Sequence, residues 1–130
     1  MKIALIIKKN SKRRILLSSL LEKIKQLDAF SEQTFYYTNY PGHAYDLAKN
    51  EALKRTSIVI GVGGDGTLNE IVNGLLHKGK TETIFGYFPL GTANDFSKTA
   101  GKIESIDSFI ESLKKLSIKE MDIGEVICES

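Results

Sequence analysis

Apolar residues recur along the chain in two alternating rhythms. Lys2-Ile3-Ala4-Leu5-Ile6-Ile7, Gln33-Thr34-Phe35-Tyr36-Tyr37-Thr38, Ser57-Ile58-Val59-Ile60, Thr83 to Phe88 and Met121 to Ile127 are short runs rich in β-branched or aromatic residues, and they predict strands. Between them lie segments of helical period. Ile15, Leu16, Leu20, Leu21, Ile24 and Leu27 follow at near-helical spacing, and within 43–54 Ala44, Leu47, Ala48 and Ala52 are directed towards the core. Leu68, Ile71, Val72, Leu75 and Leu76 form a third face, and Ile106, Phe109, Ile110 and Leu113, extended by Leu116, a fourth. Strand and helix patterns in this alternation predict an α/β fold of three layers, a mainly parallel sheet with helices on both faces.

The junction after the third strand carries the densest chemistry. Gly61-Val62-Gly63-Gly64-Asp65-Gly66-Thr67 is expected to turn tightly and to let a ligand approach the backbone, with Gly64 at positive φ. Thr67 with Glu70 three residues later matches a capping box, so the next helix is expected to start at Thr67. Free amides at a helix start face anions, most naturally a phosphate. A Walker A loop needs a lysine after its last glycine, and Thr67 stands there instead. A plain Rossmann dinucleotide site is disfavoured too. It needs a carboxylate about twenty residues on to hold a ribose, and the next strand ends Gly86-Tyr87-Phe88-Pro89-Leu90-Gly91.

Length and composition narrow the class. A chain of 130 residues suggests one domain, and 42% hydrophobic with 26% charged residues is ordinary for a globular protein. A net charge of +2 is too small to argue for nucleic acid. Cys128 is the only cysteine, which rules out an internal disulfide and suits a reducing compartment. With no long apolar run and no signal-peptide layout, a cytoplasmic location is expected. No amphipathic segment is basic enough to name as a membrane anchor. The oligomeric state is left open, a dimer included. The basic stretch Lys8 to Arg14 reads as a solvated loop or as a source of phosphate-binding charge. His43 reads as an exposed helix-start residue, His77 as surface near a helix end, and Glu70 as a cap.

Gly63-Gly64-Asp65-Gly66-Thr67-Leu68-Asn69-Glu70 with Val72-Asn73-Gly74-Leu75 resembles the signature of the diacylglycerol kinase catalytic domain family, related to sphingosine kinases and NAD kinases. Pro89-Leu90-Gly91-Thr92-Ala93-Asn94-Asp95-Phe96 resembles the same family's second motif. The resemblance implies an ATP-binding domain of a lipid kinase, with Mg²⁺, that transfers the γ-phosphoryl of ATP to diacylglycerol or a similar lipid hydroxyl. Peripheral membrane contact is part of that expectation for a full-length form. It carries over a nucleotide site made of Ser11, Thr38, Gly63, Gly64, Asp65, Gly66, Thr67, Asn69, Gly91, Thr92 and Asn94, and a general-base role for Asp65; the metal ligands are left unassigned. Thr38 followed by Gly42-His43-Ala44 matches a family threonine that lies beside the base. The first loop departs from the family's Asn-Pro-x-Ser-Gly. Ser11 fits, but Lys8-Lys9 replaces Asn-Pro and Lys12 replaces glycine. Residues 1–120 are then the nucleotide-binding domain and 121–130 the start of a second, β-rich domain, so the 130-residue chain alone is expected to be inactive. The alternatives are an NAD kinase-like enzyme and a non-catalytic nucleotide-binding module.

Overall fold

The computed structural model describes residues 1–9, 13–90, 103–118 and 126–128, with side chains in the last two segments described for 106–115. Strands β1 (Lys2–Ile7), β2 (Glu32–Tyr37), β3 (Ile58–Gly63), β4 (Ile84–Pro89) and β5 (Val126–Cys128) alternate with helices α1 (Arg14–Lys25), α2 (His43–Leu53), α3 (Asp65–Leu75) and α4 (Ile103–Ile118). The described strands form one sheet in the order β2-β1-β3-β4-β5, and each neighbouring pair is parallel. The α/β architecture expected from the periodicity is the one observed.

Parity along the strands sorts side chains between two cores. Ile3, Leu5, Ile7, Ile58, Ile60, Val62, Ile84 and Phe88 face Leu16, Leu20, Leu21 and Ile24 of α1 and Ile106, Phe109, Ile110 and Leu113 of α4. Phe88 and Phe109 meet edge to face, their centroids 5.4 Å apart. On the other face Ala4, Ile6, Val59, Phe85 and Tyr87 pack with Ala44 and Ala48 of α2 and Ile71 and Leu75 of α3. Burial on both faces explains why β1, β3 and β4 read as nearly continuous apolar runs, as strands of a covered parallel sheet do.

Helices α2 and α3 approach unusually closely. A Cβ built on Gly74 would lie 2.4 Å from the Tyr45 carbonyl oxygen and 2.9 Å from the Ala48 Cβ. The C-terminus of α2 closes in a Schellman arrangement, with Thr56 N–H donating to the Glu51 carbonyl and Arg55 N–H to that of Ala52, both at 3.1 Å. The left-handed position there is filled by Arg55, at φ 60°, instead of the usual glycine.

The same turn buries a carboxylate. Glu51 is 3% exposed and accepts hydrogen bonds from Thr56 Oγ1 at 2.6 Å and Tyr36 Oη at 2.7 Å, while Lys54 Nζ lies 2.8 Å away. Burial alone would raise its carboxyl pKa. The hydrogen bonds from Lys54, Thr56 and Tyr36 and the lysine charge outweigh that and hold it below the usual glutamate value of 4.5. A carboxyl lowered in the folded state stabilises fully above its unfolded value and loses that contribution as pH falls through the folded one. Glu51→Gln is therefore expected to cost about 1.5–3 kcal/mol at pH 7, the range for hydrogen bonds to a charged group. It should also flatten the acid limb of stability below about pH 4.5 relative to the parent. Urea titrations of both proteins between pH 3 and pH 7 measure the difference; parallel pH profiles would mean that folding does not lower the Glu51 carboxyl pKa.

Candidate functional site

The strand order sets where a ligand can reach the sheet. In an open parallel sheet of order 2-1-3-4-5, successive connections leave β1 and β3 in opposite directions, opening a crevice at their carboxyl ends. Ile7 pairs with Val62 at that edge, so Lys8 and Gly63 are the next residues out on either side of the crevice. Lys8 N–H donates to the Val62 carbonyl at 2.9 Å, and the Lys8 Cβ lies 3.0 Å from where a Cβ on Gly63 would be. The basic segment and the glycine segment are thus in contact.

The glycine segment differs from its sequence-based expectation in three ways. Gly61 and Gly63 belong to β3, which runs on past Ile60, so only Gly64 separates strand from helix. Gly64 is extended, at φ −111° and ψ −169°, and not at positive φ; the described glycines with positive φ are Gly42 and Gly79. Close approach accounts for Gly61 and Gly63 instead, a Cβ on Gly61 falling 2.7 Å from Ile71 Cδ1. A Cβ on Gly63 would crowd Thr67 Oγ1 at 3.1 Å, whereas Gly64 and Gly66 have nothing within 4 Å and face open space. Helix α3 starts at Asp65, two residues earlier than the capping-box reading, with Gly64 as its N-cap and no side-chain cap. Its first-turn amides are left to another acceptor, with the positive end of the helix dipole behind them.

The predicted capping box does not form because its two members are engaged elsewhere. Thr67 is 8% exposed and packs beneath Gly63. Glu70 reaches across to α2, where its Oε2 accepts the Gly42 N–H at 3.3 Å. Glu70 is a cap, but of the neighbouring helix. Asp65 is exposed in the first turn of α3. Asn69 is exposed one turn on, and its Oδ1 and carbonyl accept from Asn73 Nδ2 at 3.2 and 2.9 Å.

Two further strand ends join this edge. Thr38 N–H donates to the Ile7 carbonyl at 2.9 Å, and Thr38 Oγ1 accepts the Lys9 N–H at 3.2 Å. Thr38 is thereby tied to the β1 loop beside the crevice. On the other side Leu90 N–H donates to the Gly63 carbonyl at 2.9 Å, so the β3 and β4 ends are laced together just past Pro89. Tyr87 Oη donates to the same carbonyl at 2.7 Å. Sequence reasoning missed this buried tyrosine; its signal was a lone hydroxyl in a strand otherwise apolar. Ser11, Gly91, Thr92 and Asn94 lie outside the described residues, as do Lys12, Asp95 and Phe96.

The histidines separate. His77, half-buried past the end of α3, places Nδ1 3.0 Å from the Gly74 carbonyl. His43 stacks on Tyr40 and accepts the Asn39 N–H through Nδ1 at 2.8 Å. Among the described residues no group of three or more His, Cys, Asp or Glu could hold a metal ion, and no helix is long and apolar enough to cross a membrane.

Known diacylglycerol kinases resemble this chain in sequence and in fold. The chain is 37% identical over 111 residues to a diacylglycerol kinase of Bacillus subtilis (strain 168), covering 85% of this chain and 36% of that protein. It is 36% identical over 104 residues to a diacylglycerol kinase of Staphylococcus haemolyticus (strain JCSC1435), covering 79% and 31%. The crystal structure of a diacylglycerol kinase from Bacillus anthracis str. Sterne superposes with a TM-score of 0.67 at 26% identity, over 88% of this chain and 42% of that one. The chain thus spans about a third of the length of these curated relatives. The family profile described as the diacylglycerol kinase catalytic domain matches residues 2–126, and with both sequence motifs and the fold in agreement, the chain belongs to that family.

Proposed function

We propose that this domain binds ATP at the carboxyl edge between β1 and β3 and serves as the nucleotide-binding part of a lipid kinase. The observation that carries the reading is the uncapped start of α3 at Gly64–Asp65, opening onto free space at the strand-order switch, with Lys8 packed against the preceding Gly63. Backbone amides of Gly64, Asp65 and Gly66 would receive the phosphates, with lysine charge nearby. Thr67, held beneath the loop, supports its shape, while Thr38 and Asn69 flank it. Ser11, Gly91, Thr92 and Asn94 complete the site on the family resemblance.

Asp65 is the proposed general base. As the acceptor hydroxyl oxygen attacks the γ-phosphorus, its proton passes to the Asp65 carboxylate, the bond to the β-phosphate bridging oxygen breaks, and ADP leaves. Mg²⁺ usually rides on nucleotide phosphates with one or two protein carboxylates. Its protein ligands are left unassigned, and bound Mg²⁺ would neutralise phosphate charge. The acceptor is diacylglycerol or a similar lipid hydroxyl. Residues 1–120 form the nucleotide domain and 121 onwards leads into a second domain, with β5 still pairing with β4 in the sheet of the first. Without that domain the cleft is half-built, so the 130-residue chain alone binds nucleotide but does not phosphorylate lipid.

Calorimetric titration with ATP tests the loop assignment. Gly64→Val should fold normally, because φ −111° suits valine and no atom lies within 4 Å. It should nevertheless lose at least about tenfold in affinity by keeping phosphate off the amides, the scale of one charge-assisted hydrogen bond. Equal affinity in variant and parent would overturn the site. ATP binding without phosphotransfer, in a form that includes the second domain, would favour a non-catalytic nucleotide module.

A further inference from the structure

We propose that His43 is a positioning residue of the nucleotide site, holding Asn39, Thr38 and Lys9 in place through its unprotonated Nδ1, and that gain of a proton by its ring releases them. The proposal rests on the ATP-site reading above and adds to it a device for pH control.

The partner of Nδ1 fixes the tautomer of His43. A backbone N–H can only donate, so the 2.8 Å contact from Asn39 N–H to His43 Nδ1 requires a lone pair on Nδ1. In the imidazolium both ring nitrogens carry protons, and two N–H groups would then point at each other. The ring cannot easily swing away. It lies stacked on Tyr40, centroids 4.3 Å apart and planes 14° from parallel, and Tyr40 is tethered by its hydroxyl to Asp46 Oδ2 at 3.2 Å. His43 N–H donates to the Tyr40 carbonyl at 3.0 Å, which fixes the turn at its other end.

What the ring holds leads directly to the candidate site. Asn39 Oδ1 accepts from Lys9 Nζ at 3.4 Å, and the preceding residue, Thr38, accepts the Lys9 N–H at 3.2 Å. His43, Asn39, Lys9 and Thr38 therefore form one chain of contacts from the start of α2 to the β1 loop. Displacing Asn39 loosens the segment that aims the Lys9 ammonium and the Thr38 hydroxyl. Among the described residues, the contacts about this turn bring in the following charged and titratable groups. Lys9 lies beyond Asn39, Tyr40 and Asp46 lie on the stacked side, and Glu70 of α3 meets the Gly42 N–H next in sequence. None of these groups contacts Nδ1, so none removes the N–H conflict there.

The test uses the whole 130-residue chain, with backbone amide exchange by NMR and ATP titration from pH 8 to pH 5, the interval in which histidines change charge. In the parent the Asn39 amide should be protected at pH 8 and lose about fivefold or more of that protection on acidification, the worth of one hydrogen bond. ATP affinity should fall in step. His43→Phe keeps a ring on Tyr40 but offers no acceptor, so it should show weak protection and weaker binding throughout, with no step tied to a ring proton. His43→Asn offers a carbonyl acceptor and should restore protection without the step. Titration of the terminal phosphate of ATP is common to all three proteins and cancels in the comparison. An Asn39 amide equally protected at both pH values in the parent, or unchanged in His43→Phe, would overturn the proposal. Absence of ATP binding with the exchange pattern intact would instead count against the nucleotide site alone.

Discussion

Replacing Gly74 by alanine is expected to destabilise the domain by about 3 kcal/mol, at the upper end of the overpacking range, and replacing it by valine to leave no cooperative unfolding transition. The position sits where α3 crosses α2, and the obstacle to any side chain is main chain. The Tyr45 carbonyl oxygen would lie 2.4 Å from the new Cβ and the Lys49 backbone nitrogen 3.1 Å away. Backbone inside a helix cannot rotate aside as a side chain can, so α2 would have to move off as a unit. That movement would strip cover from Ala44, Ala48, Ile71 and Leu75, which share one core. Alanine is worth about 1 kcal/mol more than glycine inside a helix, too little to offset the clash. Valine adds two methyl groups and a branched Cβ to the same contact. A total stability of roughly 5–15 kcal/mol would survive the alanine loss in part, whereas the larger clash of valine would exceed the lower end of that range. Urea denaturation followed by circular dichroism reads the effect directly; an alanine variant with an unchanged midpoint would mean that α2 and α3 part without cost.

Asp65→Asn is expected to lower phosphoryl transfer by about 10²–10⁴-fold, the range for losing a positioned general base. The measurement needs this domain joined to the second domain that the family resemblance implies. Fold and ATP affinity should stay close to the parent. Asp65 is exposed in the first turn of α3, and asparagine keeps its size there. The negative charge at the positive end of the helix contributes only about 0.3–1 kcal/mol, so its removal is a small structural change. What asparagine cannot do is accept a proton from a hydroxyl or neutralise a cation among phosphates. Turnover of labelled ATP with diacylglycerol micelles should therefore collapse while the melting temperature moves little. Activity within a few-fold of the parent would make Asp65 a residue of loop structure only.

The residues that could be read correctly in isolation are those whose signal is local. The 3.6-residue spacing of Leu20, Leu21 and Ile24 or of Ile71 and Leu75, and the unbroken apolar runs of β1 and β3, follow from burial of one helix face or both strand faces. Those signals carried the α/β class and helices on both faces. The glycine motif could likewise be placed at a strand-to-helix junction, since its flanks have different periods.

Its internal conformation could not, because the same four glycines suit either a wide turn or a tightly packed strand end. Contacts of Gly63 with Lys8 and Thr67 decide for packing. Glu70 has the spacing of a capping partner for its own helix, yet the amide it meets belongs to Gly42, 28 residues away. Tyr87 finds its acceptor 24 residues back, at Gly63. The sequence by itself determined which segments are strands and helices, most of the residues on their apolar faces (Ile15 and Leu76 are exposed instead), and which junction is glycine-rich, because each depends on neighbours within a turn or two. Only the tertiary structure decided the strand order, and with it the crevice between β1 and β3 where Lys8 meets Gly63. It alone decided the partners of Glu70, Tyr87 and Glu51, because a polar group takes whichever donor or acceptor the packed chain brings within about 3 Å.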